Sequence, residues 1–232
     1  MGNAASRIRE RIGYALAPGG RMATLLWAVK AATRVQFDVV YRVTLAPPAS
    51  GTSPDALARP SRLRAVDGAA ARAALSPELY DRLETNTGRG LQRINDGGGI
   101  VYFLAAGDDD VACQLNISPG PVVEVDTPAL LRFDLAPGIA FLSYLFTHER
   151  HRRRGAAGEL IQAVRADLAR RGFREIVAHV SATNIPSLTT FRRDGWERAG
   201  IIATTTGGRL LGTSGLDRRR VGVRNLREES AG

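Results

Sequence analysis

Cysteine is nearly missing: Cys113 stands alone in 232 residues, so the chain has no intrachain disulfide and no cysteine-cluster metal site. A reducing, cytoplasmic setting is the expectation. Lysine is as scarce, with Lys30 the single example, so almost all positive charge is arginine. The 32 Lys and Arg against 23 Asp and Glu leave a formal charge of +9. That balance favours acidic partners such as nucleic acid, anionic lipid or a phosphorylated cofactor. The arginines are spread along the chain without a recognition motif, and no specific nucleic-acid partner is expected. Long apolar runs are lacking too. The stretch Met22 to Thr33 is interrupted by Lys30 and is shorter than the ~20 residues a bilayer-spanning helix needs.

The hydrophobic content of 44% and charged content of 24% suit one sizeable core with appendages. We divide the chain into an N-terminal helical extension, 1–34, a main domain, 35–216, and a basic C-terminal tail, 217–232. Residues 4–34 read as two short helices parted by Pro18-Gly19-Gly20. In the second, Met22, Leu25, Leu26 and Val29 recur at helical spacing. Two uses fit this extension. It packs on the domain, or, with Arg7, Arg9, Arg11 and Arg21 flanking the apolar positions, it makes a peripheral contact with a membrane or a protein. Met1 to Ser6 also fits the spacing of an N-myristoylation signal, which acts only where the modifying enzyme exists.

Phe37 to Leu45 has strand composition and runs into a Pro- and Ser-rich loop, Pro47 to Pro60. A strand near Leu63 to Val66 precedes a helical stretch, Ala69 to Glu84, which Ser76-Pro77 should divide. Ile100 to Ala106 and Val111 to Ile117 form a hairpin pattern across Gly107 and three aspartates, and Leu130 to Leu135 is a further strand. From Phe141 the pattern becomes strand, helix, strand, helix. Phe141 to Thr147 is apolar, and the following helix carries Ala157, Leu160, Ile161, Val164 and Leu168 on one face and ends at Gly172. Glu175 to Val180 is the next strand, and the last helix, Pro186 to Arg193, stops at Gly195. Such a unit implies a locally parallel strand pair in a mixed sheet. A final hairpin is expected within 197–216.

Between the first strand and helix of this unit lies Arg152-Arg153-Arg154-Gly155-Ala156-Ala157-Gly158. Small residues there let a ligand reach N–H groups at a helix N-terminus, an arrangement suited to pyrophosphate. A tight turn carrying solvated arginines has the same composition. Arg152, Gly155 and Ala157 match, in register, the Arg/Gln-x-x-Gly-x-Gly/Ala signature of the GNAT superfamily of acyl-CoA N-acyltransferases. Asn184, Ser187, Phe191, Gly195 and Trp196 fall at the spacings of its second motif. The chain thus resembles that superfamily over about residues 139–200.

The resemblance implies an α/β (α+β) fold with a mixed, central twisted β-sheet flanked by helices. It implies direct transfer of an acyl group from acetyl-CoA or another acyl-CoA to a primary amine, without a metal. Cofactor contacts are then expected at Leu145, Phe146 and Thr147 beside the pantetheine arm, and at Arg152, Arg153, Arg154, Gly155, Ala156, Ala157 and Gly158 around the pyrophosphate. Asn184, Ser187 and Phe191 follow from the second motif. The N–H of Phe146 or a neighbour would polarise the thioester carbonyl. His179, five residues before Asn184, resembles the position of a catalytic glutamate in one branch of the superfamily, and imidazole suits a general base. A histidine merely hydrogen-bonded within a strand is the other reading. Many relatives carry a tyrosine at Phe191 that protonates the leaving thiolate. Phenylalanine cannot, which leaves the acid unassigned, with Tyr144 or water as substitutes, and opens a second reading: a non-catalytic acyl-CoA-binding or interaction module.

Overall fold

The computed structural model describes residues 20–46, 62–125 and 130–226. The first expected helix, the Pro18-Gly19-Gly20 breaker, the Met1 to Ser6 signal and the Pro47 to Pro60 loop lie outside them, apart from Gly20. The element order is α1 (Gly20–Thr33), β1 (Val35–Thr44), β2 (Leu63–Asp67), α2 (Gly68–Ala73), α3 (Pro77–Thr85), α4 (Leu91–Asp96), β3 (Ile100–Ala105), β4 (Val111–Ser118), β5 (Val122–Val125), β6 (Leu131–Leu135), β7 (Ile139–Thr147), α5 (Ala156–Arg170), β8 (Glu175–Ser181), α6 (Ile185–Arg193), β9 (Glu197–Thr205), β10 (Leu210–Ser214) and β11 (Val221–Asn225). Ser76 divides the α2 and α3 stretch by capping α3, its hydroxyl accepting from the Leu79 N–H at 3.3 Å, with Pro77 in the first turn.

Eight strands form one mixed sheet in the order β10-β9-β1-β8-β7-β4-β3-β2. Only β7 and β8 run parallel, and their pairing spans just Ile139/Glu175 to Leu142/Ala178. A right-handed α5 crossover is the natural connection for such a pair. On one face of the sheet α5 and α6 bury Leu160, Ile161, Val164, Leu168 and Phe191 against Tyr102, Leu115 and Leu142, each large side chain contributing about 1.5–3 kcal/mol. Strand alternation sends Val101 and Phe103 to the other face, where α3 and α4 cover them with Leu79, Leu83 and Leu91. Beside those helices, and over β7, β8, β1 and β9, packs a second sheet in the order β11-β6-β5.

This second sheet corrects the expectation of a basic tail beginning at 217, for the described residues up to 226. Val221–Asn225 pairs antiparallel with β6, and Val221 is buried with Phe133 and Leu135. Arg224 spends its charge on Asp134 at 2.8 Å, and Arg220 reaches the buried Glu175. β5 and α4 also lie in stretches where no element was expected. In α1, Leu25 is exposed while Lys30 ties the helix to the sheet through Gln36 Oε1 at 3.0 Å. None of the helices among the described residues is long and apolar enough to cross a membrane.

Candidate active site

The parallel pair supplies the central geometric device. Beyond Leu142 and Ala178 the two strands part, while β7 continues to Thr147 and β8 to Ser181. On its other side β7 carries a bulge against β4. Asn116 pairs with Ser143 and Gln114 with Phe146, so Tyr144 and Leu145 together oppose Leu115, and Tyr144 takes a left-handed φ of 50°. Past the bulge, His148 donates its N–H to Ala112 O at 3.0 Å. N–H groups alternate sides along a strand, so the N–H of Phe146 faces β4 and those of Leu145 and Thr147 face the gap. The N–H of Phe146, expected to polarise the thioester carbonyl, is thus turned away from the gap, and that of its neighbour Leu145 faces it.

A cleft of about 1090 Å³ lies beside this gap, lined by Leu145, Phe146 and Thr147 on β7 and by Arg152, Arg153, Gly155, Ala156, Ala157 and Gly158 at the start of α5. Arg153 and Gly155 adopt φ of 61° and 80°, turning the chain sharply into the helix. The first N–H groups of α5 have no intrahelical acceptor, and a Cβ placed on Gly155 or Gly158 would meet nothing within 4 Å. An anion can thus approach these amides unobstructed. From α6 come Ser187, as expected, and also Ile185, Pro186, Thr190 and Arg193. The last four were not expected, though their spacing along one face of a helix following Asn184 signals them.

Three expected contacts are not on the cleft wall. Arg154 is exposed beside it. Asn184 caps α6, its Oδ1 accepting from the Ser187 N–H at 3.3 Å. Phe191 is 2% exposed, stacked on Tyr41 with ring centroids 5.5 Å apart and set edge-on to Trp196 at 4.7 Å. Its position one turn below the cleft face makes it a packing residue, which also explains why an apolar ring serves there. His151 lines the cleft and contacts Asp110 at 3.1 Å, while His148 packs against Phe146.

A second cleft, of about 730 Å³, opens on the opposite face of the large sheet, between the α3–α4 segment and β5. Its floor is polar in an otherwise apolar layer: Gln36 and Asp38 from β1, Asn116 from β4, Ser143 from β7, and His179 and Ser181 from β8. The two clefts adjoin along β7, where Ser143 and Tyr144 line one and Leu145 to Thr147 the other. Asn116 donates to Thr87 O at 2.8 Å and Gln114 to Leu83 O at 3.0 Å, which pins the α3–α4 segment over the sheet. Gly88 in that segment has φ 74°, and a Cβ there would come within 1.9 Å of the Tyr144 ring. Glycine is what lets this ring lie at the cleft wall.

His179 is half-buried, its ring between Phe133 and Phe141 at 5.7 Å from each. Nδ1 is enclosed without a hydrogen-bond partner, whereas Nε2 is not among the enclosed atoms and looks into the cleft. Burial pushes its pKa below the ordinary 6.5, opposed by the nearby Asp38. Asp38, 4% exposed, has its own pKa raised by burial, against the pull of His179 and Lys30. The structure brings an imidazole and a buried carboxylate to one floor, and sequence reasoning does not find the carboxylate. Its signal was a pair of polar residues, Gln36 and Asp38, at alternate positions of an apolar strand.

The sequence profile described as Acetyltransferase (GNAT) family matches residues 70–196, more than half of the chain. A search of curated proteins gives no match. Similar solved structures include an acetyltransferase of the GNAT family from Novosphingobium aromaticivorans, with 21% identity, a TM-score of 0.48 and coverage of 73% of this chain and 62% of that one. A GCN5-related N-acetyltransferase from Sphaerobacter thermophilus shows 16% identity, a TM-score of 0.44 and coverage of 77% and 56%. An aminoglycoside N-acetyltransferase in complex with CoA shows 21% identity, a TM-score of 0.42 and coverage of 59% and 91%. The chain therefore spans less than two thirds of the length of the first two.

Proposed function

Because the chain belongs to the Acetyltransferase (GNAT) family, we propose that it is an acyl-CoA-dependent N-acyltransferase that carries an acetyl or related acyl group directly to a primary amine. The single observation that supports this reading is the gap between β7 and β8, with the open start of α5 on one side and a polar cleft lined by His179 on the other. The amides of Gly155, Ala156, Ala157 and Gly158 hold the pyrophosphate, with Arg152 and Arg153 adding charge. The free N–H groups of Leu145 and Thr147 align the pantetheine arm, and that of Leu145 stabilises negative charge developing on the thioester oxygen. The acyl group is then presented to the cleft containing His179.

An alkyl amine is mostly protonated at neutral pH and must lose a proton before it attacks. His179 takes that proton at Nε2, directly or through water. The amine nitrogen forms the new C–N bond, the C–S bond breaks, and the thiolate departs as CoA. Tyr144, whose ring lines the His179 cleft at the point where the two clefts adjoin along β7, is a side chain with a proton to return. Incubation with acetyl-CoA and a panel of primary amines tests this reading through amine-dependent release of free thiol. Release only at the no-amine background, with acetyl-CoA bound, would favour the non-catalytic module.

The lowered pKa of His179 fixes the sign of a pH effect. The neutral, proton-accepting form is fully populated at a lower pH than for a free imidazole. The plot of kcat against pH is expected to rise with a midpoint below 6.5 and to be flat above it. A midpoint above 6.5 would assign the base to another group. For Gly88→Ala, displacement of the Tyr144 ring and strain at positive φ should cost about 1–3 kcal/mol in denaturant unfolding. The acceptor KM should rise with it, while affinity for acetyl-CoA stays unchanged.

A further inference from the structure

We infer that Asp38 and His179 form an ammonium-binding subsite, so that the acceptor enters as a protonated alkylamine seated on the Asp38 carboxylate. This rests on the transferase reading above and narrows its substrate class. Asp38 comes from β1, outside the family-matched residues 70–196. Among the described residues its carboxylate makes no hydrogen bond or ion pair, and yet it is 4% exposed and lines the cleft. Lys30 is near enough to pull on the carboxylate, but its hydrogen bond goes to Gln36 Oε1 and it makes no ion pair with Asp38. A buried carboxylate with no hydrogen bond or ion pair of its own is costly to fold around, and a bound cation in direct contact reduces that cost.

The strand register places the two groups together. Asp38 pairs with Ser181 and Val40 with His179, so Asp38 and His179 are diagonal neighbours on one face, about 7–8 Å apart at the backbone and closer at their side chains. An ammonium between them donates to the carboxylate and to Nε2, while Val123 and Phe141 shield it from water. The same contact serves the reaction. One ammonium N–H bond breaks as an N–H bond forms on the imidazole, and the amine keeps its lone pair for attack. An arylamine, uncharged at neutral pH, gains nothing from Asp38.

The test is calorimetric titration at pH 7 with phenethylamine and with its uncharged isostere 2-phenylethanol. The wild type is expected to bind the ammonium at least about tenfold more tightly. Asp38→Asn abolishes that preference, Asp38→Glu keeps part of it, and acetyl-CoA affinity stays unchanged in both. In turnover, Asp38→Asn raises the alkylamine KM more than it lowers kcat, an effect that a purely structural role would not confine to charged acceptors. Wild type binding both probes equally, or neither, overturns the inference even if Asp38→Asn fails to fold. So does retention of the preference in a folded Asp38→Asn. Amine-dependent thiol release in the same preparation reports on the transferase reading separately: if it persists without an ammonium preference, only the subsite falls.

Discussion

His179→Ala is expected to lower kcat for acyl transfer by about 10²- to 10⁴-fold, the range for loss of a positioned general base, with acetyl-CoA affinity unchanged. The ring is fixed between Phe133 and Phe141, with Nε2 as its cleft-facing atom. Burial disfavours its cation and lowers its pKa, which favours the proton-accepting form. Alanine removes the acceptor and leaves Asp38 too weak a base to deprotonate an alkylammonium efficiently. Losing the ring also leaves a hollow in the layer between the two sheets, so some stability should go with it. Initial rates at saturating amine, set beside calorimetric binding of acetyl-CoA, separate the two effects. A drop of less than threefold in kcat would place the base on another residue.

Gly155→Asp is expected to weaken acetyl-CoA binding by at least about 100-fold while leaving the fold intact. The site has open space around the missing Cβ, so the carboxylate enters the volume assigned to the pyrophosphate and not the core. Two unit charges 4 Å apart repel by about 4 kcal/mol at an effective dielectric of 20, and a tenfold affinity loss takes only 1.4 kcal/mol. Aspartate at the start of a helix favours the helix itself through its dipole, which offsets strain at φ 80°. Circular dichroism and thermal unfolding should therefore remain close to wild type. Gly155→Ala separates strain from charge, since it imposes the same backbone penalty without the carboxylate and should weaken binding far less.

The strand, helix, strand, helix unit from Phe141 to Trp196 was readable from the sequence because local devices mark its ends. Gly155 and Gly195 take the positive φ that ends one element and begins the next, and the apolar stripe of α5 has a helix period. The loop signature and the burial of the unit's strands follow from the same residues. What escaped depends on partners distant in sequence. Val221 to Asn225 sits among arginines and reads as a tail, until β6 offers it a ladder and Asp134 an ion pair. The bulge at Tyr144 arises from a register slip against β4 that an apolar run cannot reveal, and with it came the choice between Phe146 and Leu145. Motif position alone sets Phe191 against the cofactor, whereas the phase of its helix turns the ring toward Tyr41 and Trp196. Asp38 gained meaning only when β1 was seen between β8 and β9, a pairing across more than a hundred residues of chain.

Calorimetric titration of the wild-type protein with acetyl-CoA, and with longer acyl-CoAs in parallel, tests the central claim most directly. Saturable one-to-one binding of at least one acyl-CoA, weakened by added salt as phosphate contacts are screened, is the predicted result. A well-folded protein that binds none of them would contradict the account and leave this fold put to a different use.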